Sequence, residues 1–336
     1  MGLWAGGTSV NSTATAMVFN QLFNKKALSI VRKKNGLLYA ALGKEEPLSM
    51  PNEGTKFRGE KKITGLKVEV KLHGKLKTIS TVSDGANEVA TATLSVDGAE
   101  WGGAEFDLAH YADNHAIPMS QMDRFAGDES KTLDFISEVF EHLMLSYENT
   151  LGTALHTSSA PSRTVFGGWE YAVADDNTYG GIDRTDSANA DFRAGYLNAS
   201  TGALTLAKIA TAQNTIVGNG GTPDVGVCGI AIYGKLQQLV QSYTHIVGDK
   251  DWDAFGGTWV RYGPTRFILD QRTSSGVMGI LDSSSWVLYR NDGNFTRSGI
   301  VVDPSRVATY VLPWGSWAQL ICLKPNSNAK LSGIDS

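Results

Sequence analysis

The stretch Tyr179-Gly180-Gly181-Ile182-Asp183-Arg184 lies between two parts of the chain that have different patterns. On its N-terminal side, a long helical pattern is followed by an extended stretch. On its C-terminal side, helix-like and strand-like segments alternate, beginning after a second short motif, Phe192-Arg193. This order predicts a unit built on one long helix, followed by an α/β unit.

The helical pattern begins at Ser130, a residue type that caps helices, and continues to about Leu155. Its apolar residues recur every three or four positions: Leu133, Ile136, Phe140, Leu143, Tyr147, Leu151 and Leu155. This spacing places them on one face of a helix. About 25 residues at about 1.5 Å each give a rod about 37 Å long, so the sequence predicts one unusually long helix.

Two segments nearer the N-terminus have the period of a β-strand. Apolar and polar residues alternate from Leu66 to Leu72, and the alternation returns from Ala90 to Val96. The connection contains the turn-forming run Ser83-Asp84-Gly85-Ala86-Asn87, which predicts a long two-stranded ribbon with its bend near Asp84-Gly85. Because an isolated ribbon of this kind is marginally stable in water, it needs another surface, which a neighbouring subunit can supply.

The N-terminal part of the chain is basic and the remainder is acidic. Residues 1–80 contain 14 lysines and arginines against 5 acidic residues, whereas residues 81–336 contain 16 against 29. Residues 14–34 predict a short amphipathic helix, and residues 43–60 interrupt the pattern with proline, glycine and charge. Two interpretations stay open: a solvated basic arm, or an arm that packs on the acidic body of another copy.

The C-terminal half predicts helices and strands in alternation. The helices are predicted at residues 204–217 and 235–243, and the strands at 224–232, 259–269 and 307–323. The last strand is apolar enough to lie in a core. We expect it to return to the long helix, which makes the unit built on that helix discontinuous in sequence.

Composition narrows the class of protein. A chain of 336 residues favours about two sub-domains, and its 19% charged residues and 37 glycines suit extensive contacts with neighbouring protein. Cys228 and Cys322 each lie in an apolar run, which indicates core residues and excludes a disulfide framework. The sequence has neither an apolar stretch of about 18 residues nor a signal-peptide pattern, so we expect a soluble chain made in a cytosol-like compartment.

Motifs that carry chemistry are weak. Residues Gly229 to Leu236 have the P-loop spacing, but Leu236 stands where a Ser or Thr would hold Mg²⁺, so we interpret them as a strand-to-helix junction. The histidines form no metal-binding motif: His73, His110, His115, His142, His156 and His245. A GxSxG motif is absent, although a histidine triad can still assemble from distant residues. We therefore expect no catalytic, cofactor-binding or metal-binding residues.

The ribbon is rich in lysine, at positions Lys61, Lys62, Lys67, Lys71, Lys75 and Lys77. These lysines alternate with apolar residues, and clustered arginines do not accompany them. Sequence-specific DNA readers usually have such clusters or exposed aromatic residues. The pattern favours a ribbon that docks its apolar face on a neighbour over a ribbon that reads DNA.

Residues 179–184, followed by 192–193, resemble a motif found in many tailed-bacteriophage major capsid proteins. The resemblance continues in order through the strand entry Thr222-Pro223-Asp224, a helix beginning near Tyr233 and the edge segment Leu281-Asp282-Ser283. The run from Trp314 to Pro325 resembles the closing strand of that family. The similarity covers about residues 60–330.

That resemblance implies the α+β fold of the Hong Kong 97-type phage capsid proteins. Its regions here are an N-terminal arm (1–58), an E-loop β-ribbon (59–103), a peripheral domain (104–164) with a spine helix (130–157), an axial domain (165–300) and a return to the peripheral domain (301–336). It implies a non-enzymatic major capsid protein, without cofactors, that self-assembles as pentamers and hexamers into the icosahedral head enclosing a double-stranded DNA genome.

The same resemblance implies the partners and the location. The partners are further copies of the chain, a scaffolding protein, a portal and decoration proteins, with DNA inside that is not bound sequence-specifically and without a membrane. The protein is assembled in the host cytoplasm and resides in the virion. Some members form a Lys–Asn crosslink, but the residues identify only candidate donors, Lys71, Lys75 and Lys77, so non-covalent closure is the default.

Two alternatives remain at the level of the sequence. An encapsulin-type compartment shell has the same fold but holds an enzyme cargo in place of DNA. A hydrolase or nucleotide-binding enzyme is the alternative from another class of protein.

Overall fold

The computed structural model describes residues 59–63, 65–74, 101–118, 142, 146, 149–198, 202–240, 259–291, 301–302 and 309–335. Four predicted features lie outside this part of the chain: the arm and its amphipathic helix, the second ribbon strand at 90–96, the lysines at 75 and 77, and most of the spine helix before residue 149.

Helices follow the predicted apolar spacing where the chain is described. The α-helical segments are α1 (149–154), α2 (Trp169–Ala172), α3 (Leu206–Gly218) and α4 (Ile230–Val240). Residues 142 and 146 are also helical, so the predicted spine helix is confirmed at its C-terminal end. Helix α3 begins after Thr205, whose side chain accepts a hydrogen bond from the amide of Lys208, and it buries Ile209, Ala212 and Ile216 on one face.

The strands are β1 (Gly59–Ile63), β2 (Lys67–His73), β3 (Trp101–Asp107), β4 (Ala109–Pro118), β5 (Thr178–Tyr179), β6 (Ile182–Asp183), β7 (Tyr196–Asn198), β8 (Val225–Cys228), β9 (Trp259–Tyr262), β10 (Thr265–Leu269), β11 (Met278–Leu281), β12 (Trp286–Asn291), β13 (Val301–Val302), β14 (Thr309–Cys322) and β15 (Ala329–Leu331). Three 3₁₀ turns complete the described elements: Ser187–Phe192, Ser283–Ser285 and Pro325–Ser327.

The first large sheet is organised around the long strand β14. Its order is β1-β12-β14-β13, and β4 also pairs with β14 over ten residues, from Ala109↔Ala318 to Pro118↔Thr309. The predicted tail strand is therefore confirmed. Its buried residues belong to the same apolar core as Leu151 and Leu155 at the C-terminal end of the long helix.

The second large sheet has the order β7-β15-β11-β8-β10-β9. All four residues of β8 are buried, as are all four of β11, as expected for strands covered on both faces. Two predicted boundaries are wrong here. The predicted strand 259–269 is a hairpin, β9 and β10, that turns at Gly263 with φ of 59°. The predicted strand 224–232 ends at Cys228, and helix α4 begins at Ile230.

The two sheets exchange segments across the predicted domain boundaries. Strand β12, from the range expected to be axial, pairs with β1 and β14 of the first sheet. Strand β15, from the C-terminal return, pairs with β7 and β11 of the second sheet. The chain thus passes from the first sheet to the second between β14 and β15. Each sheet contains strands from separate parts of the sequence, so a single cut in the sequence cannot separate them.

Candidate functional site: the anchor of the ribbon

The base of the predicted ribbon is an antiparallel pair of strands, β2 and β3. Its register runs from Lys67↔Asp107 to His73↔Trp101. Along β2 the residues alternate between exposed and buried, with Val68, Val70 and Leu72 buried, which confirms the predicted alternation. We call residues 67–73 and 101–107 the ribbon base.

Residues 178–183 form a tight hairpin, β5–β6, in which Thr178 pairs with Asp183 and Tyr179 with Ile182. The two residues of its turn, Gly180 and Gly181, have φ of 59° and 87°. A two-residue hairpin turn with positive φ at both central positions favours glycine at both of them, because a Cβ atom is strained there. This geometry explains the adjacent glycines of the motif.

The hairpin lies directly against the apolar side of the ribbon base. The amide of Glu105 donates a hydrogen bond of 3.0 Å to the carbonyl of Gly180. A Cβ atom at Gly180 would lie 2.6 Å from Cβ of Ala104 and 2.6 Å from Cζ of Phe106. At Gly102 it would lie 2.6 Å from Cδ1 of Ile182. Each glycine therefore permits a backbone approach that no other residue type allows without displacement.

Tyr179 joins the ribbon base to the first sheet. Its ring meets that of Phe106 edge to face, with 4.8 Å between the ring centroids. Its hydroxyl accepts a hydrogen bond of 2.8 Å from the amide of Cys322, at the end of β14. Burial raises the pKa of the Tyr179 hydroxyl well above its ordinary value. One side chain thus contacts both the ribbon and the long strand behind it.

Arg184 is fully buried and braces the hairpin from behind. Its guanidinium donates to Oδ1 of Asn177 from Nε at 2.8 Å, to the carbonyl of Ala172 from Nη1 at 2.7 Å and to the carbonyl of Tyr171 from Nη2 at 3.0 Å. It also lies 4.8 Å from the centroid of the Tyr179 ring. Burial lowers the pKa of Arg184. Because two of these acceptors are backbone carbonyls, the arginine holds the backbone of residues 171–172 in place.

The following residues fix the C-terminal side of the hairpin. Nε of Arg193 donates to the carbonyl of Arg184 at 2.6 Å, and its Nη2 donates to the carbonyl of Thr185 at 2.9 Å. The Asp183 carboxylate accepts from the amide of Thr185 at 2.9 Å and from its hydroxyl at 2.7 Å. Hydrogen bonds from Thr185 lower the pKa of Asp183. The two motifs, 179–184 and 192–193, are therefore parts of one hydrogen-bonded unit.

The ribbon base keeps its second face polar. Lys67 and Glu105 form an exposed ion pair there, with 3.1 Å between Nζ and Oε2. Arg163 lies 3.6 Å from the carboxylate of Asp107 at the same end. The buried guanidinium of Arg184 and the side chain of Arg193 donate to backbone carbonyls, so these groups hold the strands of this unit together. We call the ribbon base with residues 171–193 the ribbon anchor.

Two further motifs of the resemblance also meet in the structure. The carboxylate of Asp224 accepts hydrogen bonds from the amide of Ser283 at 2.8 Å and from its hydroxyl. Nearby, Oδ1 of the buried Asn328 accepts from the amide of Asp282 at 3.0 Å and from the indole of Trp286 at 3.1 Å. These contacts hold the residues just before β8 and just before β15 against the turn between β11 and β12.

Two features that could carry enzyme chemistry lie in the described part of the chain: the P-loop-like run at 229–236 and the histidine His156. Gly229 lies between β8 and α4, and the residues that would form a phosphate-binding loop are the first turn of that helix, as the junction interpretation predicted. His156 does meet a carboxylate, Asp270, at 3.0 Å, with both side chains buried. Sequence reasoning could not find this pair, because the two residues are 114 positions apart.

Clusters of metal-ligating side chains and membrane-spanning helices are absent from the described ranges. Within them, no group of three or more His, Cys, Asp or Glu side chains is arranged to hold a metal ion. No helix among the same residues is both long enough and apolar enough to cross a membrane. Cys228 and Cys322 are both buried and free, as their apolar surroundings predicted.

Comparisons with known proteins bear on the fold. No protein-family model and no curated protein matches the chain. A chain of the cyanophage A-1(L) capsid asymmetric unit has a TM-score of 0.59 at 13% identity, covering 82% of this chain and 90% of that one. A chain of the capsid of the native GTA particle has a TM-score of 0.56 at 10% identity, covering 86% and 95%.

The capsid of the empty GTA particle gives a TM-score of 0.53 at 10% identity, with the same coverage of 86% and 95%. Identities this low show the fold alone. The chain therefore has the α+β fold of the Hong Kong 97-type phage capsid proteins, as the resemblance of residues 179–193 and 314–325 predicted.

Proposed function

We propose that the chain is a major capsid protein that self-assembles as pentamers and hexamers into the icosahedral head enclosing the double-stranded DNA genome of a tailed phage. The observation that carries the proposal is the ribbon anchor. It fixes both ends of a 27-residue connection, 74–100, to the body of a chain whose fold is that of capsid subunits.

The anchor suits this function for a physical reason. A two-stranded ribbon has little stability of its own, so contacts at its base decide where it leaves the body. The hydrogen bond from Glu105 to Gly180 and the packing of Phe106 on Tyr179 supply those contacts. A fixed departure point lets each copy present its ribbon from the same place on the body, so that the same surface patch is used in the repeated interfaces of the shell.

The proposal extends to the regions of the chain. Residues 1–58 are the arm, 59–103 the E-loop ribbon, 104–164 the peripheral domain with the spine helix at 130–157, 165–300 the axial domain and 301–336 the return. Sheet membership favours two adjustments to this division. Strand β12 belongs with the peripheral sheet and β15 with the axial one.

The proposed partners follow from charge and fold. The body of residues 81–336 is acidic overall, and a surface with little affinity for phosphate lets DNA be packaged and released. The DNA is therefore enclosed without sequence-specific binding. A scaffolding protein, a portal and decoration proteins complete the proposed head, which assembles in the host cytoplasm, resides in the virion and has no enzymatic activity.

Electron microscopy tests the proposal directly. We expect the purified chain, alone or expressed with its scaffolding protein, to form closed shells with pentameric and hexameric clusters. Persistent monomers or small oligomers under every assembly condition would contradict it. Nuclease-resistant DNA inside native particles is expected for a phage head, whereas particles that hold an enzyme cargo and no DNA would instead support a compartment shell.

A deletion tests the role of the ribbon. Removing residues 76–90 should leave the circular dichroism spectrum and the urea midpoint unchanged, because the anchor is intact, but should abolish shells. A second variant that replaces the same residues with a glycine-serine linker of equal length separates chain length from sequence. Loss of the fold in both variants would show that the ribbon is part of the subunit core, and normal shells from either would contradict its role in assembly.

A further inference from the structure

The turn after helix α3 contains Asn219-Gly220, one of two Asn-Gly pairs in the sequence; the other is Asn35-Gly36. Asparagine is a chemically labile residue, and a following glycine opens it to one reaction, because no Cβ atom hinders the glycine nitrogen. The Gly220 nitrogen attacks Cγ of Asn219 and forms a bond to it, while Nδ2 leaves as ammonia with the proton that this nitrogen loses. Water then opens the resulting succinimide ring to aspartate or isoaspartate.

The backbone at Asn219 holds the two reacting atoms apart. Asn219 is the C-terminal cap residue of α3, with ψ of 8°. At this angle the Gly220 nitrogen almost eclipses the backbone nitrogen of Asn219, so it is turned away from the Cβ atom and the carboxamide beyond it. The Gly220 amide also donates a hydrogen bond of 2.9 Å to the carbonyl of Val217. Ring closure therefore requires that the helix cap opens.

The leaving group is held as well. Nδ2 of Asn219 donates a hydrogen bond of 2.7 Å to the carbonyl of Asn326, in the 3₁₀ turn Pro325–Ser327. A second contact closes the same joint, because Nζ of Lys324 donates to the carbonyl of Gly220 at 3.1 Å. The turn after α3 is thus fastened to the connection between β14 and β15, and the Asn-Gly pair lies at the point of attachment.

We propose that Asn219 is a site of spontaneous deamidation that the folded chain protects, so that chains which stay unfolded, or which open at this joint, are modified irreversibly. The modification also prevents the joint from closing again. An aspartate at position 219 has no Nδ2 to donate, and its carboxylate faces the carbonyl of Asn326. Isoaspartate in addition lengthens the backbone at the helix cap. The site is independent of the proposed role in a shell, because it needs only the fold of one chain.

Peptide mass spectrometry of the full chain, incubated in mildly alkaline buffer or in urea that unfolds it, measures the protection. In urea, Asn219 and Asn35 should deamidate at similar rates. In buffer, we expect Asn219 to react at least about tenfold more slowly than in urea, since ring closure must first break the hydrogen bonds of Asn219 Nδ2 and of the Gly220 amide, each equivalent to about a fivefold shift in an equilibrium. Fragmentation separates Asn219 from the nearby Asn214. Equal rates in buffer and in urea would overturn the proposal.

Two glycine variants that flank the pair assign the protection to the joint. Gly221→Ala adds a methyl group 2.5 Å from Cβ of Ser327 and 3.0 Å from Cγ2 of Ile216, so it loosens the joint without changing the Asn-Gly pair. Gly218→Ala is the control, because nothing lies within 4 Å of its methyl group. With each rate in buffer divided by that variant's rate in urea, we expect Asn219 to react about fivefold or more faster in Gly221→Ala. Equal ratios would contradict the proposal. If Gly221→Ala does not fold, the wild-type comparison still decides.

A second pair of variants tests the consequence of the modification. Asn219→Asp reproduces one product of deamidation and leaves the carbonyl of Asn326 without its donor. We expect it to shift the folding equilibrium about fivefold or more toward the unfolded state, as measured by urea denaturation. Asn214→Asp makes the same change of charge at an exposed position of α3 and should shift the equilibrium less. Equal shifts would overturn the inference that the modified chain cannot close the joint.

Discussion

The ribbon base and the second sheet bury their strands in different ways. Strands β8 and β11 are buried at every position and have a partner strand on each side. In the ribbon base, every second residue of β2 faces solvent, and among the strands that the structure describes β2 and β3 form a sheet of two. The second sheet therefore holds its strands through partner strands on both sides, whereas the ribbon base is held by the apolar face that it turns to the core and by the hairpin 178–183.

This difference shows how the base of an element can be fixed to the body of the chain while its outer face stays exposed. The second sheet has central strands that are buried on both faces, as the core of a domain does. The hairpin and Tyr179 supply contacts that the ribbon base has in addition to its apolar face, so we expect changes in them to affect presentation of the ribbon more than folding of the rest.

The reactivity of the two cysteines measures the exposure of the two regions separately. Cys228 lies in β8 of the second sheet, and the amide of Cys322 donates a hydrogen bond to the hydroxyl of Tyr179 in the ribbon anchor. Burial raises the pKa of each thiol to about 12, so at pH 8 only about one thiol in ten thousand is ionised. We expect a thiol reagent to modify native protein at least about a thousandfold more slowly than the unfolded chain. Rapid labelling of native Cys228 would contradict the buried second sheet.

The variant Tyr179→Phe should then expose the difference between the thiols. It removes the acceptor of the Cys322 amide, so Cys322 should become labelled faster while Cys228 stays protected, as measured by mass spectrometry of the peptides. Tyr289→Phe is the control, because it removes the hydroxyl of a buried tyrosine in β12. This strand belongs to the first sheet, as Cys322 does, but lies outside the ribbon anchor. Equal labelling of both thiols in Tyr179→Phe would show that the anchor and the second sheet are one cooperative unit.

Loss of the buried arginine should destabilise the anchor strongly. Arg184→Met leaves the carbonyl of Ala172 and Oδ1 of Asn177 without their arginine donor and removes one of the two donors to the carbonyl of Tyr171, which keeps the Asn177 side-chain amide. We expect the free energy of unfolding to fall by about 3–5 kcal/mol, because each buried acceptor left without a donor costs about 1–3 kcal/mol. Arg193→Met, which also frees backbone carbonyls but in a half-exposed position, should cost about 1 kcal/mol because water can replace the lost donors. Urea denaturation measures both, and equal losses would contradict the role of burial.

The two glycines of the hairpin turn provide a matched pair. Both have positive φ, so alanine at either position costs about 1–2 kcal/mol in backbone strain. At Gly181 nothing lies within 4 Å of the added methyl group, whereas at Gly180 the methyl group meets Ala104 and Phe106. We expect Gly180→Ala to cost about 1–3 kcal/mol more than Gly181→Ala and to reduce shell formation. Equal urea midpoints for the two variants would show that the ribbon base does not rest on Gly180.

The smallest effect is expected on the polar face of the ribbon base. Lys67→Ala removes the exposed ion pair with Glu105, and such pairs contribute less than about 1 kcal/mol. The change in urea midpoint should therefore lie near the limit of detection and shrink further in high salt. A larger loss would mean that the exposed face contributes to the anchor as much as the buried one.

Local patterns in the sequence predicted elements that depend on neighbouring residues alone. The alternation at 66–72 predicted β2, and the apolar spacing at 204–217 predicted α3, because backbone geometry sets both periods. Where a short apolar run fits both periods, the prediction failed. Residues 230–232 were expected to continue a strand, but Ile232, Tyr233 and Leu236 are the buried face of α4.

The sequence by itself determined the periodic elements, the burial of both cysteines and, through the resemblance of residues 179–193, the fold. Only the tertiary structure decided what those elements touch. It gave β2 its partner at 101–107 in the described part of the chain, buried Arg184 among carbonyls and brought His156 to Asp270. The reason is physical: an apolar pattern specifies which face of an element is buried, whereas its partner depends on surfaces that meet only when the whole chain has folded.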